Sequence, residues 1–202
     1  MNIALVYDTE TTGLPDKTRH LDDHRQPHIV QLAARMIDLD TRAIIQTLDV
    51  IIQPFGWKIP PETVKIHGIS QELGDDVGVP EGNAVDLFYD LWKEYPRIAH
   101  NEPFDAEIIA IALSRYLEEE MTAWAEGEAH CTAKLATPIL DLPPTERMIA
   151  TGRNHPKTPN LSEAYKFFTG ADLIGAHSDL TDVDACLAVW WAIQDRMAGD
   201  AS

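Results

Sequence analysis

The sequence predicts an α/β fold in which a mixed β-sheet is flanked by α-helices. Two observations lead to this prediction: β-prone apolar segments are concentrated early in the chain, and short strands then alternate with segments of helical periodicity. A length of 202 residues is sufficient for one domain with a sizeable core. We therefore expect a single domain over residues 1–197 and a frayed tail over residues 198–202.

The first strands are indicated by apolar segments that polar segments separate. Asn2–Tyr7 is apolar and β-prone, which is typical of a buried strand. Pro15–Pro27 is polar and rich in charge and histidine, so we predict a loop there. Ile29–Leu39 and Ala43–Gln53 are predicted to pair as a hairpin that turns near residues 40–41.

Helical segments begin after the hairpin. Two prolines, Pro60 and Pro61, start a short helix that runs to about His67, where Gly68 ends it. Gly82–Tyr95 has the spacing of an amphipathic helix.

A short strand, Arg97–His100, is followed by a helix that begins at Pro103. The apolar residues of this helix recur at helical spacing: Phe104, Ile108, Ile111 and Ala112. Gly127–Pro159 contains five prolines, which predicts an irregular excursion with short helices.

Two further helices complete the predicted fold. The first is Leu161–Phe168, which Gly170 ends. The second is long, is capped by Ser178 or Thr181, and runs to about Met197.

The charge and composition of the chain restrict its function. A net charge of −17 argues against a wide duplex-binding surface, because such surfaces are usually basic. It leaves room for a small pocket in which divalent cations neutralise phosphates. No long apolar run, no signal peptide and only two cysteines, Cys131 and Cys186, predict a cytoplasmic protein without a membrane segment.

Two carboxylates lie two positions apart at the end of the first predicted strand. Asp8 and Glu10 would point to the same side of the sheet, with Cα atoms about 6.6 Å apart. Such a pair can share a hard cation such as Mg²⁺ or Mn²⁺. Taken alone, it is more often a solvated strand end beside the turn that Gly13 permits.

Two more acidic residues accompany helix starts. Asp105 lies in the first turn of a helix, where the helix dipole favours a negative charge. Asp182 lies in the final helix, and His177 precedes it in a loop that could overhang the same site. A histidine there could act as a general base, because its ordinary pKa is near neutral. Each residue alone is more often part of an ordinary helix start; Asp179 and Asp184 are interpreted in that way.

Together these clusters resemble the three motifs of the DEDDh group of DnaQ-like 3′–5′ exonucleases. The residues that carry the resemblance are Asp8-Thr9-Glu10-Thr11-Thr12-Gly13-Leu14, then Ala99-His100-Asn101 with Phe104-Asp105, and finally His177 and Asp182. A segment between the first two motifs is also similar to these enzymes: Pro61-Glu62 and Ile66-His67-Gly68-Ile69-Ser70. The resemblance spans Ala4 to about Trp190. The ordered combination is specific, whereas any one motif is weak.

The resemblance implies a ribonuclease H-like fold and a two-metal mechanism with Mg²⁺ or Mn²⁺. Asp8, Glu10 and Asp182 would hold one cation. Asp8 would bridge to a second, which Asp105 would support directly or through water. His177 would deprotonate the attacking water, and the product would be a nucleoside 5′-monophosphate.

The resemblance also implies residues that contact a single-stranded 3′ end. They are Thr9, Thr11, Thr12, Leu14, Glu62, His67, Asn101 and Phe104, with Leu14 as a wedge or stacking surface. The Asp-Thr-Glu-Thr-Thr-Gly sequence resembles proofreading and DNA-repair members more than RNA-trimming ones, so DNA is preferred over RNA. A proofreading role would require a DNA polymerase as partner. Two departures are Gln31, where many relatives have an acid, and the long loop Pro15–Pro27.

Three alternative functions remain open at this point. The acidic charge fits a nuclease-fold protein that mainly binds or scaffolds, although such a protein has no physical reason to keep mutually repelling acids. An RNA-trimming exoribonuclease or a phosphodiesterase of small nucleotides would use the same pocket chemistry.

Other clusters are not assigned to chemistry. The loop acids and histidines are interpreted as solvated rather than metal-binding: His20, Asp22, Asp23, His24 and His28. His130 and Cys131 lack a partner pair at zinc spacing. Trp190 and Trp191 are predicted to be core or a partner face.

Overall fold

The computed structural model describes residues 2–175 and 179–200. A six-stranded sheet runs through its centre in the order β4-β3-β2-β1-β5-β6. The strands are β1 (Ile3–Thr11), β2 (Ile29–Asp38), β3 (Ile44–Gln53), β4 (Val79–Pro80), β5 (Arg97–Ala99) and β6 (Ala129–Cys131).

The sheet is mixed, as the sequence predicts. Strands β1, β2 and β3 are antiparallel neighbours, whereas β1–β5, β5–β6 and β3–β4 are parallel pairs. The predicted hairpin between β2 and β3 is therefore confirmed. The register places Asp8 opposite Ala33 and Glu10 opposite Gln31, and a β-bulge lies between Glu10 and Thr11.

Helices cover both faces of the sheet. In chain order they are α1 (Pro61–His67), α2 (Gln71–Val77), α3 (Glu81–Trp92), α4 (Glu102–Tyr116), α5 (Met121–Glu126), α6 (Thr132–Leu140), α7 (Glu146–Ala150), α8 (Leu161–Thr169) and α9 (Asp179–Asp200). The predicted helix at α1 is confirmed, and Gly68 follows it with a left-handed φ of 78°.

The alternation of side chains along β1 divides the core into two clusters. Leu5 and Tyr7 pack against α3, α4 and α5 through Phe88, Ile108 and Trp124. The alternate residues of β1 pack against α9 in a second cluster that includes Ala4, Val6, Val183, Cys186 and Trp190. The same alternation continues along β1 and directs the two acids that follow Val6 toward α9.

Several boundaries differ from the sequence predictions. α3 ends at Trp92 rather than Tyr95, because Lys93 and Glu94 adopt left-handed backbone conformations that a helix cannot contain. α9 continues to Asp200, three residues beyond the predicted end at about Met197. Thr181 lies inside α9 and does not cap it. Ser178 lies outside the described residues.

Several short elements were not predicted. Short strands β4 and β6 have few residues, and tertiary pairing with β3 and β5 decides that they are strands. Helix α2 is also unpredicted; the Ser70 hydroxyl caps it by accepting a hydrogen bond from the Leu73 N–H at 3.1 Å. The predicted irregular excursion over Gly127–Pro159 is correct for its short helices α6 and α7, but it misses β6.

Within the described part of the chain, every helix is too short or too polar to cross a lipid bilayer.

Candidate active site

Strand β1 and helix α9 bring three carboxylates together. One carboxylate oxygen from each of Asp8, Glu10 and Asp182 lies within 4.8 Å of the others. Asp182 is only 7% exposed, whereas Asp8 and Glu10 are partly exposed. The prediction that Asp8 and Glu10 converge is therefore correct, and the fold adds the third acid from a residue 172 positions beyond Glu10 in the chain.

The electrostatics of this group suit a cation. Burial, together with the nearby Asp182, raises the pKa of Glu10 from 4.5 to about 7. Repulsion of this kind is relieved when a divalent cation binds between the oxygens. Carboxylate oxygens are hard donors, which matches the preference of Mg²⁺ and Mn²⁺. The donor set thus fits the predicted metal, and Asp8, Glu10 and Asp182 are the residues that would hold it.

Asp105 lies beside this group but is held by a different contact. Its Oδ1 accepts a hydrogen bond from the Thr9 N–H at 3.1 Å and another from the Thr9 hydroxyl at 2.8 Å. Burial raises the pKa of Asp105 well above its ordinary value, although the two bonds from Thr9 oppose that shift. Within the described residues, the cation-sized group consists of the other three acids without Asp105.

A buried ion pair supports the start of α4, which carries Asp105. The Arg97 Nε donates to Glu102 Oε1 at 2.8 Å, and the Tyr7 hydroxyl donates to the same oxygen at 3.4 Å. The Arg97 guanidinium also lies over the Trp124 ring at 4.2 Å and donates to the Trp124 carbonyl at 2.6 Å. This network joins β1, β5, α4 and α5 directly behind the acidic group.

The residue before α4 has an unusual conformation. Asn101 occupies the N-cap position of α4 with a φ of 66°, and its side chain makes no capping hydrogen bond. Asparagine tolerates left-handed backbone better than most residues. Its side chain is exposed, and Phe104 one turn later is half-buried against the core. Both remain available to contact a ligand beside Asp105.

The segment after Glu10 is tied to the start of β2. The Thr12 N–H donates to the His28 carbonyl at 3.0 Å, and the His28 N–H donates to the Thr12 hydroxyl at 2.9 Å. The Thr11 hydroxyl donates to the Gly13 carbonyl at 2.8 Å. Leu14 is 81% exposed, which suits the predicted wedge or stacking surface.

The loop Pro15–Pro27 is confirmed as irregular structure, and hydrogen bonds and ion pairs hold it in place. Gln26 Nε2 donates to the carbonyls of Asp16 and His20, and Lys17 forms an ion pair with Glu107 of α4. The interpretation of His28 as a solvated side chain is wrong, because its side chain is only 15% exposed and its Nδ1 lies 2.7 Å from Glu81 Oε2.

The remaining predicted substrate residues lie on α1. Glu62 is exposed in the first turn of α1. His67 is buried at its last turn, and its Nδ1 accepts a hydrogen bond from the Ile69 N–H at 3.1 Å. The predicted general base, His177, lies outside the described residues.

Two acids near Asp182, Asp179 and Asp184, were interpreted from the sequence as part of an ordinary helix start. Asp184 pairs with Arg35 through two hydrogen bonds of 3.0 Å, so it is committed to a surface ion pair. The side chain of Asp179 lies outside the described residues. Gln31, which stands where many relatives have an acid, donates to Asp49 at 2.7 Å.

The residues of the final helix that were interpreted as core are confirmed as such. Trp190 is buried, and Trp191 is partly buried beneath the Arg42 guanidinium. Cys186 is also buried, and burial raises the pKa of its thiol strongly. Among the described residues, Cys131 and Cys186 are free thiols.

Sequence reasoning missed a second buried network close to the site. Glu81, the first residue of α3, accepts hydrogen bonds from the Ile29 N–H at 2.9 Å and the Tyr116 hydroxyl at 3.0 Å. Its Oε2 lies 2.7 Å from His28 Nδ1, and Arg115 lies 3.7 Å from its Oε1. These residues are far apart in the chain, so no local pattern could have indicated the cluster.

Solved structures share the fold of this chain. Escherichia coli exonuclease I in complex with a dT13 oligonucleotide matches with a TM-score of 0.74 and 18% identity, covering 98% of this chain and 43% of that chain. Exonuclease I of Methylocaldum szegediense, a moderately thermophilic enzyme, matches with a TM-score of 0.71 and 21% identity, covering 97% of this chain and 41% of that chain. This chain therefore spans less than half the length of these neighbours.

The mixed sheet with helices on both faces is the ribonuclease H-like fold of those neighbours. No curated protein sequence matches the chain at a significant level. The RNase T family model, described as an exonuclease, matches residues 5–190. That span includes every element from β1 to most of α9 and all four predicted metal-site acids. The chain therefore belongs to this family of DEDDh-type exonucleases.

Proposed function

We propose that the protein is a metal-dependent 3′–5′ exonuclease that removes nucleoside 5′-monophosphates from single-stranded nucleic acid. The observation that carries the proposal is the convergence of Asp8, Glu10 and Asp182 within 4.8 Å. Family membership supports the same reaction class. Three mutually repelling acids at one point are costly without a cation, so the arrangement favours an enzyme over a scaffold.

The proposed mechanism gives each acidic residue a distinct task. Two bound Mg²⁺ or Mn²⁺ ions would stabilise the attacking and leaving oxygens of an in-line displacement. Asp8, Glu10 and Asp182 would hold the ions. Asp105 would support the metal directly or through water, while Thr9 fixes its carboxylate. His177 accepts the proton of the attacking water.

We assign substrate contacts to the residues that surround this group. The last nucleotide would meet Glu62 and His67, its groove would be lined by Asn101 and Phe104, and the backbone from Thr9 to Thr12 would position it. Leu14 is exposed and apolar, which supports a stacking contact with a terminal base.

DNA is the preferred substrate. Two of the solved neighbours, both of Escherichia coli exonuclease I, are complexes with dT13 and dA16 oligonucleotides, which supports single-stranded DNA as the ligand class. The net charge of −17 argues against a long electrostatic track, so the substrate is a flexible 3′ end rather than a duplex. A proofreading or repair role follows from this preference, and proofreading would add a DNA polymerase partner.

The test uses 5′-labelled single-stranded DNA and RNA of matched sequence, incubated with the protein in Mg²⁺, Mn²⁺ or EDTA. We expect a ladder that shortens from the 3′ end of the DNA and that EDTA abolishes. Glu10→Gln should abolish it as well, whereas Asp75→Asn, a change at an exposed acid of α2, should not. Equal or faster degradation of RNA would favour the exoribonuclease alternative. Intact substrates under every metal condition would favour the binding or scaffold alternative.

The role of His177 needs a separate measurement. His177→Gln should lower kcat strongly and remove the limb of the pH–rate profile that reports deprotonation of the base. An unchanged acidic limb would assign the proton transfer to another group.

A further inference from the structure

A pocket with aromatic walls lies beyond the acidic group, at the ends of β3 and β4. Its volume is about 380 Å³. The residues that line it are Gln53, Phe55, Trp57, Pro80, Glu81, Gly82 and Tyr116. Three of these side chains are aromatic: Phe55, Trp57 and Tyr116.

Two of the three aromatic rings of this pocket are exposed, and the third, that of Trp57, is half-buried. Phe55 is 90% exposed and Tyr116 is 45% exposed. Gly82 allows Tyr116 to lie close to α3, because a Cβ at Gly82 would meet the tyrosine ring at 3.1 Å. Because Phe55 lines the same pocket as Trp57 and Tyr116, its exposed ring belongs to a contiguous aromatic surface, and such surfaces are typical of binding sites.

A continuous chain of contacts joins the pocket to the active site. Two hydrogen bonds link Thr12, two residues beyond Glu10, to His28. The His28 ring stacks on Trp57 with centroids 4.6 Å apart and an interplanar angle of 7°. Trp57 is a wall of the pocket, so the His28 ring connects this wall to Thr12, which lies next to the acidic group.

The carboxylate in the pocket does not repel a nucleic acid strand. Glu81 is 4% exposed, and its oxygens accept from Ile29 and Tyr116 and pair with Arg115. Its charge is therefore neutralised locally. The open part of the pocket is apolar aromatic surface.

We propose that this pocket stacks a base of the single-stranded substrate inward of the 3′ end. The inference rests on the proposed exonuclease function and adds a second contact point to it. A chain with a net charge of −17 cannot hold a strand mainly through phosphate contacts. Base–aromatic stacking supplies affinity without positive charge and without sequence preference. The ligand is therefore a purine or pyrimidine ring, with Phe55 and Trp57 as its main contacts.

The test compares substrates that can and cannot reach the pocket. Phe55→Ala should raise KM about tenfold for a strand of about 16 nucleotides, while leaving kcat and the kinetics on a dinucleotide unchanged. Phe55→Trp keeps an aromatic ring at this position and should have a KM close to that of the wild type. Phe167→Ala is the matched control, since Phe167 is also exposed, at 50%, but lies on α8 outside the pocket.

Moving one abasic nucleotide along the long strand sharpens the test. At one position, the abasic nucleotide should raise the KM of the wild type as much as Phe55→Ala raises the KM for the intact strand. Combining that abasic substrate with Phe55→Ala should raise the KM no further. Equal KM values for wild type and Phe55→Ala on the long strand, or an equal rise on the dinucleotide, would overturn the inference.

A binding measurement in EDTA separates this inference from the exonuclease proposal. Fluorescence anisotropy of a labelled long strand should give a Kd about tenfold higher for Phe55→Ala than for the wild type. A wild type that binds the strand through Phe55 but degrades nothing would sink the exonuclease proposal and keep the pocket. If the wild type degrades the strand and Phe55→Ala binds it equally well, the pocket inference is overturned and the exonuclease proposal stands.

Discussion

The Asp105 carboxylate accepts two hydrogen bonds from a single residue, Thr9, one from its backbone N–H at 3.1 Å and one from its hydroxyl at 2.8 Å. Thr9 lies between Asp8 and Glu10 on β1, and its side chain points to the opposite face of the sheet from theirs. The contact therefore clamps α4 to the strand that carries the two acids. Strand β1 thus carries Asp8 and Glu10 on one face and, through Thr9, positions Asp105 of α4 from the other.

Removal of the Thr9 hydroxyl should loosen this clamp. In Thr9→Val, Asp105 stays buried with one hydrogen bond fewer, which should cost about 1–3 kcal/mol of unfolding free energy and lower kcat. Thr9→Ser keeps the hydroxyl and should retain most of the unfolding free energy and most of kcat. Urea denaturation and single-strand hydrolysis check the prediction, and equal behaviour of Val and Ser at this position would contradict it.

Asp182 and Asp184 should differ sharply although both lie on α9. Asp182 belongs to the acidic group, whereas Asp184 pairs with Arg35. Asp182→Asn should abolish the rise in Tm that Mn²⁺ produces and lower activity by about 100-fold or more. Asp184→Asn removes a surface ion pair and should cost at most about 1 kcal/mol. A metal response that survives in Asp182→Asn would remove this residue from the site.

The metal-free protein should lose stability as the pH rises through about 7. The folded-state pKa of Glu10 lies above its ordinary value of 4.5, so the folded protein binds this proton more tightly than the unfolded chain does. Stability from this source is fully present below 4.5 and is lost between 4.5 and about 7. Asp105 contributes in the same direction, because burial also raises its pKa.

Thermal unfolding in EDTA across this pH range checks the dependence. Glu10→Gln carries no charge at this position and should show a shallower fall in Tm than the wild type. Mg²⁺ added above the Glu10 pKa should restore the Tm of the wild type but not that of the variant. Parallel Tm profiles for the two proteins in EDTA would contradict the assignment.

The buried pair of Arg97 and Glu102 should be strongly coupled. Arg97→Met leaves Glu102 without its cation in a buried position and should cost about 3–5 kcal/mol of unfolding free energy. The double variant with Glu102→Gln removes both charges and should recover part of that loss. A double-mutant cycle from urea denaturation measures the coupling, and additive losses would show that the pair does not act as a unit.

Local pattern predicted much of the fold and part of the site. Alternation and β-prone composition identified β1, β2, β3 and β5, and the Asp-x-Glu spacing on β1 was enough to predict that Asp8 and Glu10 converge. The proline at the start of α1, Pro61, and the glycine that follows it, Gly68, identified this helix. These predictions succeed because they depend on the two-residue period of a strand and on residues next to each other in the chain.

What the sequence by itself determined is therefore the kind of residue available at each place: two acids on one side of β1, a helix-start acid at Asp105 and an acid on the last helix. The resemblance to DEDDh exonucleases implied that Asp182 joins Asp8 and Glu10, but only the tertiary structure decided how these residues meet. Packing of Val183 and Cys186 against β1 brings Asp182 to Asp8 and Glu10, and packing of Ile108 on the opposite face brings Asp105 to Thr9. The physical reason is that burial of apolar side chains fixes the positions of α4 and α9 on the sheet, and no local pattern encodes contacts across such distances in the chain.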